Sequence, residues 1–267
     1  MIPNFYRPIL SNIYYPQNPE DLERYFLSLQ ENKLPLLDIE ASSILLPHSK
    51  FEHAGPIYYN LLSYLKNAFD LDENKKKDTI FILGHGHHYY FQGLTLPLKS
   101  YFQTPIGISR VNYKLQSELL ELPYFVNCWD YLGPEQSTEV LIPWLRFMLP
   151  KKMILPIIIG EMDEFLIAQL IQQYWDEGIF IFTSDLSLEK EYGKGLNLDR
   201  FTSRSIEALD GTCLTKDHLC GVHVVRAFLM VAQERGLKAK TIDLKVTSDF
   251  ESSLSYSKGV GGYIFYK

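Results

Sequence analysis

Residues 81–88 read Phe81-Ile82-Leu83-Gly84-His85-Gly86-His87-His88. An apolar run stops at a glycine, and three of the chain's seven histidines then fall within four positions. A short, continuously apolar run is the pattern of a strand buried on both faces, and such strands belong to parallel sheets covered by helices on either side. In open sheets of this kind, ligands bind in the crevice beyond the carboxyl ends of the strands. Imidazole is the commonest protein ligand for zinc, copper and iron, so histidines just past a strand end point to a metal site. The bland alternative is a polar loop with surface histidines, and no His-Glu-x-x-His spacing argues against it.

Working outward, further apolar runs at Ser43–Leu46, Met153–Ile159, Ile179–Thr183, Thr241–Val246 and Gly262–Tyr266 join Thr79–Leu83 as predicted strands. Helical periodicity lies between them. Asn18 is a suitable N-cap before Pro19 and a helix from Glu20 to Gln30, with Leu22, Tyr25, Phe26 and Leu29 on one face. The stretch Glu161–Glu177 puts Leu166, Leu170 and Tyr174 beside Ile167, Ile171 and Trp175 as core rows, with Gly178 as its stop. A further apolar helix runs from Val224 to Gln233, and Leu71–Lys77 and Gly259–Gly262 read as loops. The pattern predicts one α/β domain over residues 1–267, with a mainly parallel sheet flanked by helices.

Composition sets outer limits on function. At 267 residues, 46% hydrophobic and 22% charged, the chain can bury a substantial core. A formal charge of -6, with no Lys/Arg stripe, gives no field for a phosphate backbone and excludes nucleic acid as a partner. The most apolar region, Leu141–Ile159, is interrupted by Arg146, Lys151 and Lys152, so no membrane span is expected. Three cysteines, Cys128, Cys213 and Cys220, and a start without a signal-peptide pattern fit a reducing cytoplasm.

Two other sites suit the same crevice. His48 follows the strand-like Ile44-Leu45-Leu46-Pro47, with His53 five residues on. His218-Leu219-Cys220-Gly221-Val222-His223 opens the apolar helix, where free amides and the positive dipole end favour a thiolate at Cys220. The alternative for Cys220 is a small buried hydrophobe.

The same points carry the motifs of a known family, in order, from Arg7 to Tyr263. Arg7, then Ile13-Tyr14-Tyr15-Pro16, is similar to an opening Arg and an aromatic-Tyr-Pro; Pro47-His48-Ser49-Lys50-Phe51 stands where the family has P-H-A-G-Y, and Leu83–His88 where it has L-G-P-S-H-H. Thr104–Gly107, Ser137–Pro143, Leu155–Gly160, Thr183–Leu186, Cys220-Gly221, Thr247–Asp249 and Val260–Tyr263 continue the series. The sequence therefore resembles the Memo family, also known as protein B of the AmmeMemoRadiSam system.

The resemblance implies the fold of the class III extradiol dioxygenases and a pocket built from His48, His87 and Cys220. Two imidazoles and a thiolate suit iron or copper, with zinc as a further choice, and three protein ligands leave coordination positions open. The same likeness implies an unknown small-molecule substrate and an association with AMMECR-type and radical-SAM proteins.

Around that set, His88 is a candidate to orient His87 or act as a base. Asp185 is a candidate to hold a ligand imidazole or cap a helix, and Glu139 to accept from a ligand or substrate. Tyr89, Tyr90 and Phe91, just past the histidine loop, suit either an aromatic pocket wall or the core. Three positions depart from the family pattern. Gln136 and Leu188 stand where it carries histidines, and Lys50 replaces a glycine. Leucine neither accepts nor donates a proton, so a proton-transfer role at 188 is lost, while Lys50 places a cation near the pocket or in solvent. Two functions fit these residues: a metal-dependent oxidoreductase, and a module that holds a peptide or partner in the same cavity.

Overall fold

The computed structural model describes residues 5–31, 35–70, 77–189, 191–249 and 256–267. In chain order its elements begin with β1 (Phe5–Tyr6), α1 (Pro19–Glu31), β2 (Ala41–Leu46), α2 (Phe51–Asp70), β3 (Thr79–His85), β4 (Leu94–Thr95), β5 (Tyr101–Thr104) and β6 (Gly107–Arg110). They continue with α3 (Tyr113–Leu120), α4 (Gln136–Glu139), α5 (Ile142–Met148), β7 (Met153–Ile159), α6 (Glu164–Tyr174), β8 (Gly178–Thr183) and β9 (Leu188–Glu189). The last are α7 (Tyr192–Glu207), α8 (Val222–Glu234), β10 (Lys238–Val246) and β11 (Ser257–Tyr266).

The large sheet has the order β10-β11-β2-β8-β3-β7-β4, with β9 paired to β11. Its centre, β2-β8-β3-β7, is parallel throughout, which is why β3, β7 and β8 are apolar and buried along almost their whole length. Both margins are antiparallel: β11 against β2, β10 against β11, and β4 against β7. A smaller sheet of β1, β5 and β6 stands apart.

Helices cover both faces of the sheet. A Cβ added at Gly262 on β11 meets Ile57 and Leu61 of α2, whereas Phe265 on the same strand packs against Phe228 of α8, with centroids 4.5 Å apart. Alternate strand residues point to opposite faces, so α2 and α8 lie on opposite sides. On the α8 side, Trp175, Phe180, Phe182 and Phe228 stack in series at 5.8, 5.9 and 3.8 Å. In a separate aromatic group, Trp144 of α5 packs against Phe26 of α1 at 4.3 Å and Phe51 of α2 at 5.2 Å. At roughly 1.5–3 kcal/mol per fully buried large apolar side chain, these two aromatic groups are a major part of what holds the layers together.

Several boundaries differ from those expected. The run opened by Phe81 does not end at Gly84 but continues to His85, because Gly84, Gly86 and their neighbours still pair with the last residues of β7. Gly259–Gly262, expected as a loop, lies inside β11. Glycine is required there by proximity, since a Cβ at 259 comes 2.1 Å from Asp199 Oδ2 and one at 262 comes 2.6 Å from Ile57 and Leu61. The predicted helix Glu161–Glu177 is shorter at both ends. Asp163 caps it by accepting from the amides of Phe165 and Leu166, Leu166 faces solvent, and Gly178 starts β8. Asn18 does cap α1, accepting from the Glu20 and Asp21 amides. Of the expected loop Leu71–Lys77, positions 71–76 lie outside the described residues.

Candidate metal centre

Strands β2, β8 and β3 lie side by side and parallel, so their carboxyl ends open on one edge. Past β2 the chain delivers His48; past β8 it delivers Ser184 and Asp185; past β3 it delivers His87. Cys220 comes from the segment leading into α8. It is seated by two bonds to the β8 end: its own amide donates to the Asp185 carbonyl at 3.2 Å, and the Gly221 amide to Ser184 Oγ at 3.1 Å. A Cβ at Gly221 would lie 3.3 Å from the Thr183 carbonyl, a tight contact that glycine avoids.

The structure thus brings His48, His87 and Cys220 together: one ligand atom from each lies within 4.8 Å of the others. Cys220 Sγ is 3.4 Å from His48 Nε2, and the two imidazole centroids are 4.8 Å apart at 78°. Zinc-like bond lengths of 2.0–2.1 Å to nitrogen and 2.3 Å to sulfur place tetrahedral ligand atoms roughly 3.4–3.6 Å apart. The sulfur–His48 distance already fits, and side-chain movement of about 1 Å at the widest pair closes the set.

Each imidazole is held by its other nitrogen. Thr183 Oγ1 donates to the Ser137 carbonyl at 2.6 Å and so faces His48 Nδ1, 3.4 Å away, as an acceptor. His87 Nδ1 lies 2.8 Å from Glu135 Oε1, and its amide donates to Oε2 of the same carboxylate at 2.7 Å. Both rings therefore turn Nε2 toward the cysteine, His87 by the carboxylate–imidazole pairing and His48 by a hydroxyl, the kind of partner that fixes the tautomer of metal-ligating histidines.

The electrostatics fit a thiolate. Burial alone raises the Cys220 thiol, but the His48 imidazole and hydrogen bonds from His48 and His87 outweigh it and hold the group well below its ordinary range. Burial opposes protonation of His87, yet its bonds to Cys220 and Glu135 raise it to about 10. Glu135 resists the upward push of burial and is held down to about 2 by His87 and by the amides of His87 and Ser137. In the absence of an ion, the site is a web of protons shared between imidazoles, thiolate and carboxylates. A bound cation would displace those protons.

Asp185 is buried and ionised. Burial works against it, but His48 and Lys258 lower it to about 2. Its Oδ1 accepts from the His48 amide at 3.0 Å, and its Oδ2 from Ser49 Oγ at 3.0 Å and Lys258 Nζ at 2.9 Å, with His48 Nε2 3.7 Å away. It caps no helix. The cation beside it is Lys258, whereas Lys50 faces solvent.

Two sequence candidates are engaged elsewhere. Glu139 Oε1 accepts from the amides of Ile9 and Leu10 and from Tyr15 Oη, so it ties down the N-terminal segment. His88 is exposed, 6.3 Å from the His87 ring, and meets Gln136 Oε1 at 3.1 Å; the group that orients His87 is Glu135. Sequence reading passed over Glu135, whose one local sign is its place before Gln136-Ser137-Thr138-Glu139, where it caps α4 by accepting from the Ser137 amide. Tyr89 stacks on Tyr131 at the surface, Tyr90 is exposed, and Phe91 is buried beside Cys128, Leu132 and Ile158.

A family model described as Memo-like protein matches residues 7–263. The chain belongs to the Memo family. Relatives of this Memo chain include a MEMO1 family protein of Metallosphaera sedula, 26% identical over 232 residues, covering 81% of this chain and 79% of that one. A MEMO1 family protein of Desulfurococcus amylolyticus is 23% identical, covering 97% and 98% of the two chains. The protein memo-1 homolog of Caenorhabditis elegans is 22% identical, covering 92% and 79%. The α/β sheet with its covering helices is consistent with that membership, and the His-His-Cys cluster of this chain lies at the strand ends where the sequence expected a crevice. Among the described residues, no helix is long and apolar enough to cross a membrane.

Proposed function

We propose that this Memo-family chain holds a transition metal, iron or copper before zinc, on His48, His87 and Cys220, and uses it for oxidoreductase chemistry on a small organic substrate. The observation that carries this reading is the convergence of those three ligand atoms within 4.8 Å, from three segments far apart in the chain. A redox-active ion bound there supplies Lewis-acid polarisation and one-electron chemistry. The chain's own residues do the rest. Glu135 fixes the tautomer and direction of His87, and Asp185, neutralised by Lys258, anchors the His48 backbone. His88, exposed beside them on Gln136, is the residue this reading assigns to proton exchange with solvent.

A second reading, a module that holds a partner in the same cavity, draws support from one feature. Leu188 is 61% exposed on β9, and neither it nor Gln136 can replace an acid–base histidine. One experiment separates the two. Protein purified without a histidine tag is loaded anaerobically with iron or copper and compared with Cys220→Ser and His87→Ala. Stoichiometric metal lost in both variants, with oxygen uptake by the loaded natural chain, supports the oxidoreductase. Bound metal inert to oxygen and reductant favours the module, and metal unaffected by both substitutions overturns the site.

A further inference from the structure

Beside the cluster stands a second pair of imidazoles. His85 is the last residue of β3 and His223 sits on the first turn of α8; their rings lie 4.8 Å apart at 86°. His85 Nδ1 and His223 Nε2 are buried, and neither has a hydrogen-bond partner among the described residues. The opposite sides of the rings are engaged by main chain, the Ile159 carbonyl for His85 and the Gly160 carbonyl for His223. With each N–H directed at a carbonyl, the two remaining nitrogens carry lone pairs, and two acceptors cannot satisfy one another. A cation satisfies both.

The geometry suits one. An imidazole nitrogen bound to zinc at 2.0–2.1 Å puts the ion roughly 3.2 Å from the ring centroid. Two centroids 4.8 Å apart then subtend an angle of roughly 100° at a shared ion, near the tetrahedral value. Burial and the neighbouring His87 imidazole keep His85 in its neutral, ligating form, against the opposite pull of Cys220 and Glu135. Engagement of the far ring nitrogen by a carbonyl is also the usual setting of a ligating histidine.

We infer that His85 and His223 form a second metal position, adjoining the His48/His87/Cys220 cluster but with its own ligands, for a borderline ion such as Zn²⁺. The His85 and His87 rings are 5.5 Å apart, so an ion on each set would make a neighbouring pair at the mouth of the same strands. Two protein ligands leave the remaining coordination to solvent or substrate. This inference does not require the first cluster to be loaded.

The test is zinc stoichiometry. Tag-free protein is equilibrated with Zn²⁺, freed of unbound ion, and assayed for metal per chain beside His85→Phe, His223→Phe and Cys220→Ser. The expected values are two ions in the natural chain and one in each variant. Two ions in both phenylalanine variants, or one ion in the natural chain that both variants keep, overturns the second position. Loss of metal in the phenylalanine variants with none lost in Cys220→Ser leaves the second position standing and removes the first. Should a variant fail to fold, imidazole nitrogen resonances of the natural chain decide. Zinc-induced shifts at His85 Nδ1 and His223 Nε2 support the site, and unmoved resonances at both overturn it.

Discussion

Glu135 meets His87 twice, its Oε1 2.8 Å from the ring Nδ1 and its Oε2 accepting from the backbone amide at 2.7 Å. One carboxylate thus sets both the position of the histidine loop and the direction in which the ring presents Nε2. Glu135→Gln keeps the size of the side chain but removes the charge and one acceptor. The expected outcome is metal binding weakened by about 10- to 100-fold, the usual effect of removing such a partner, with the fold retained. Competition against a chelator measures it; affinity within twofold of the natural chain counts against this role.

Cys220 and Cys128 differ in their surroundings. The imidazoles overcome burial at Cys220 and lower its thiol, whereas burial pushes Cys128 up despite Thr95. The thiolate is the reactive form, so in metal-free protein iodoacetamide at pH 6–7 should label Cys220 and leave Cys128 untouched. Metal loading should protect Cys220. Peptide mapping after a timed reaction reads the result, and equal labelling of both would show that the imidazoles do not stabilise the thiolate.

Asp199 makes stability depend on pH. Burial raises its carboxyl to about 6; Oδ1 accepts from the Ser187 amide, while Oδ2 is buried with no partner among the described residues. Between about pH 4 and pH 6 the folded chain keeps a proton that the unfolded chain has released, so this contribution is whole below pH 4 and is lost as pH rises through 6. The shift corresponds to about 3 kcal/mol at most. Asp199→Asn should therefore raise the melting temperature at pH 7–8 and flatten its dependence on pH between 4 and 6. Thermal denaturation across that range checks it, and an unchanged pH profile refutes it.

Gly262 lets β11 lie directly on α2. A Cβ at that position meets Ile57 and Leu61 at 2.6 Å, inside normal contact distance. Gly262→Ala should cost about 1–3 kcal/mol by overpacking. Urea denaturation measures it, and adding Leu61→Ala, which makes room, should give a double variant that loses less than the sum of the two single losses.

Much of the sheet was legible because a strand buried on both faces leaves an unbroken apolar run. Met153–Ile159 is β7 without adjustment, and the other central strands differ by one or two residues at their ends. The margins were harder. Gly259-Val260-Gly261-Gly262 reads as a loop by propensity, but Gly259 and Gly262 serve contact with α7 and α2, a constraint that exists only in the assembled fold. The long helix α2 was missed although Glu52, Pro56, Ser63, Lys66 and Asn67 mark its outer face, because that stripe is narrow and carries a proline, Pro56, inside the helix. At the site, the three ligand positions were legible through short motifs. The exchange of Glu139 for Glu135 was not, because both carboxylates lie four residues apart and only packing decides which faces His87.

The side-by-side placement of β2, β8 and β3 has a consequence for assembly. Positions 48 and 220 are 172 residues apart along the chain, and in the finished sheet β8 lies between β2 and β3 beneath the point where the two positions meet. An ion captured there would arrive last, as a clasp on a finished sheet, and its retention would report that every central strand had found its place.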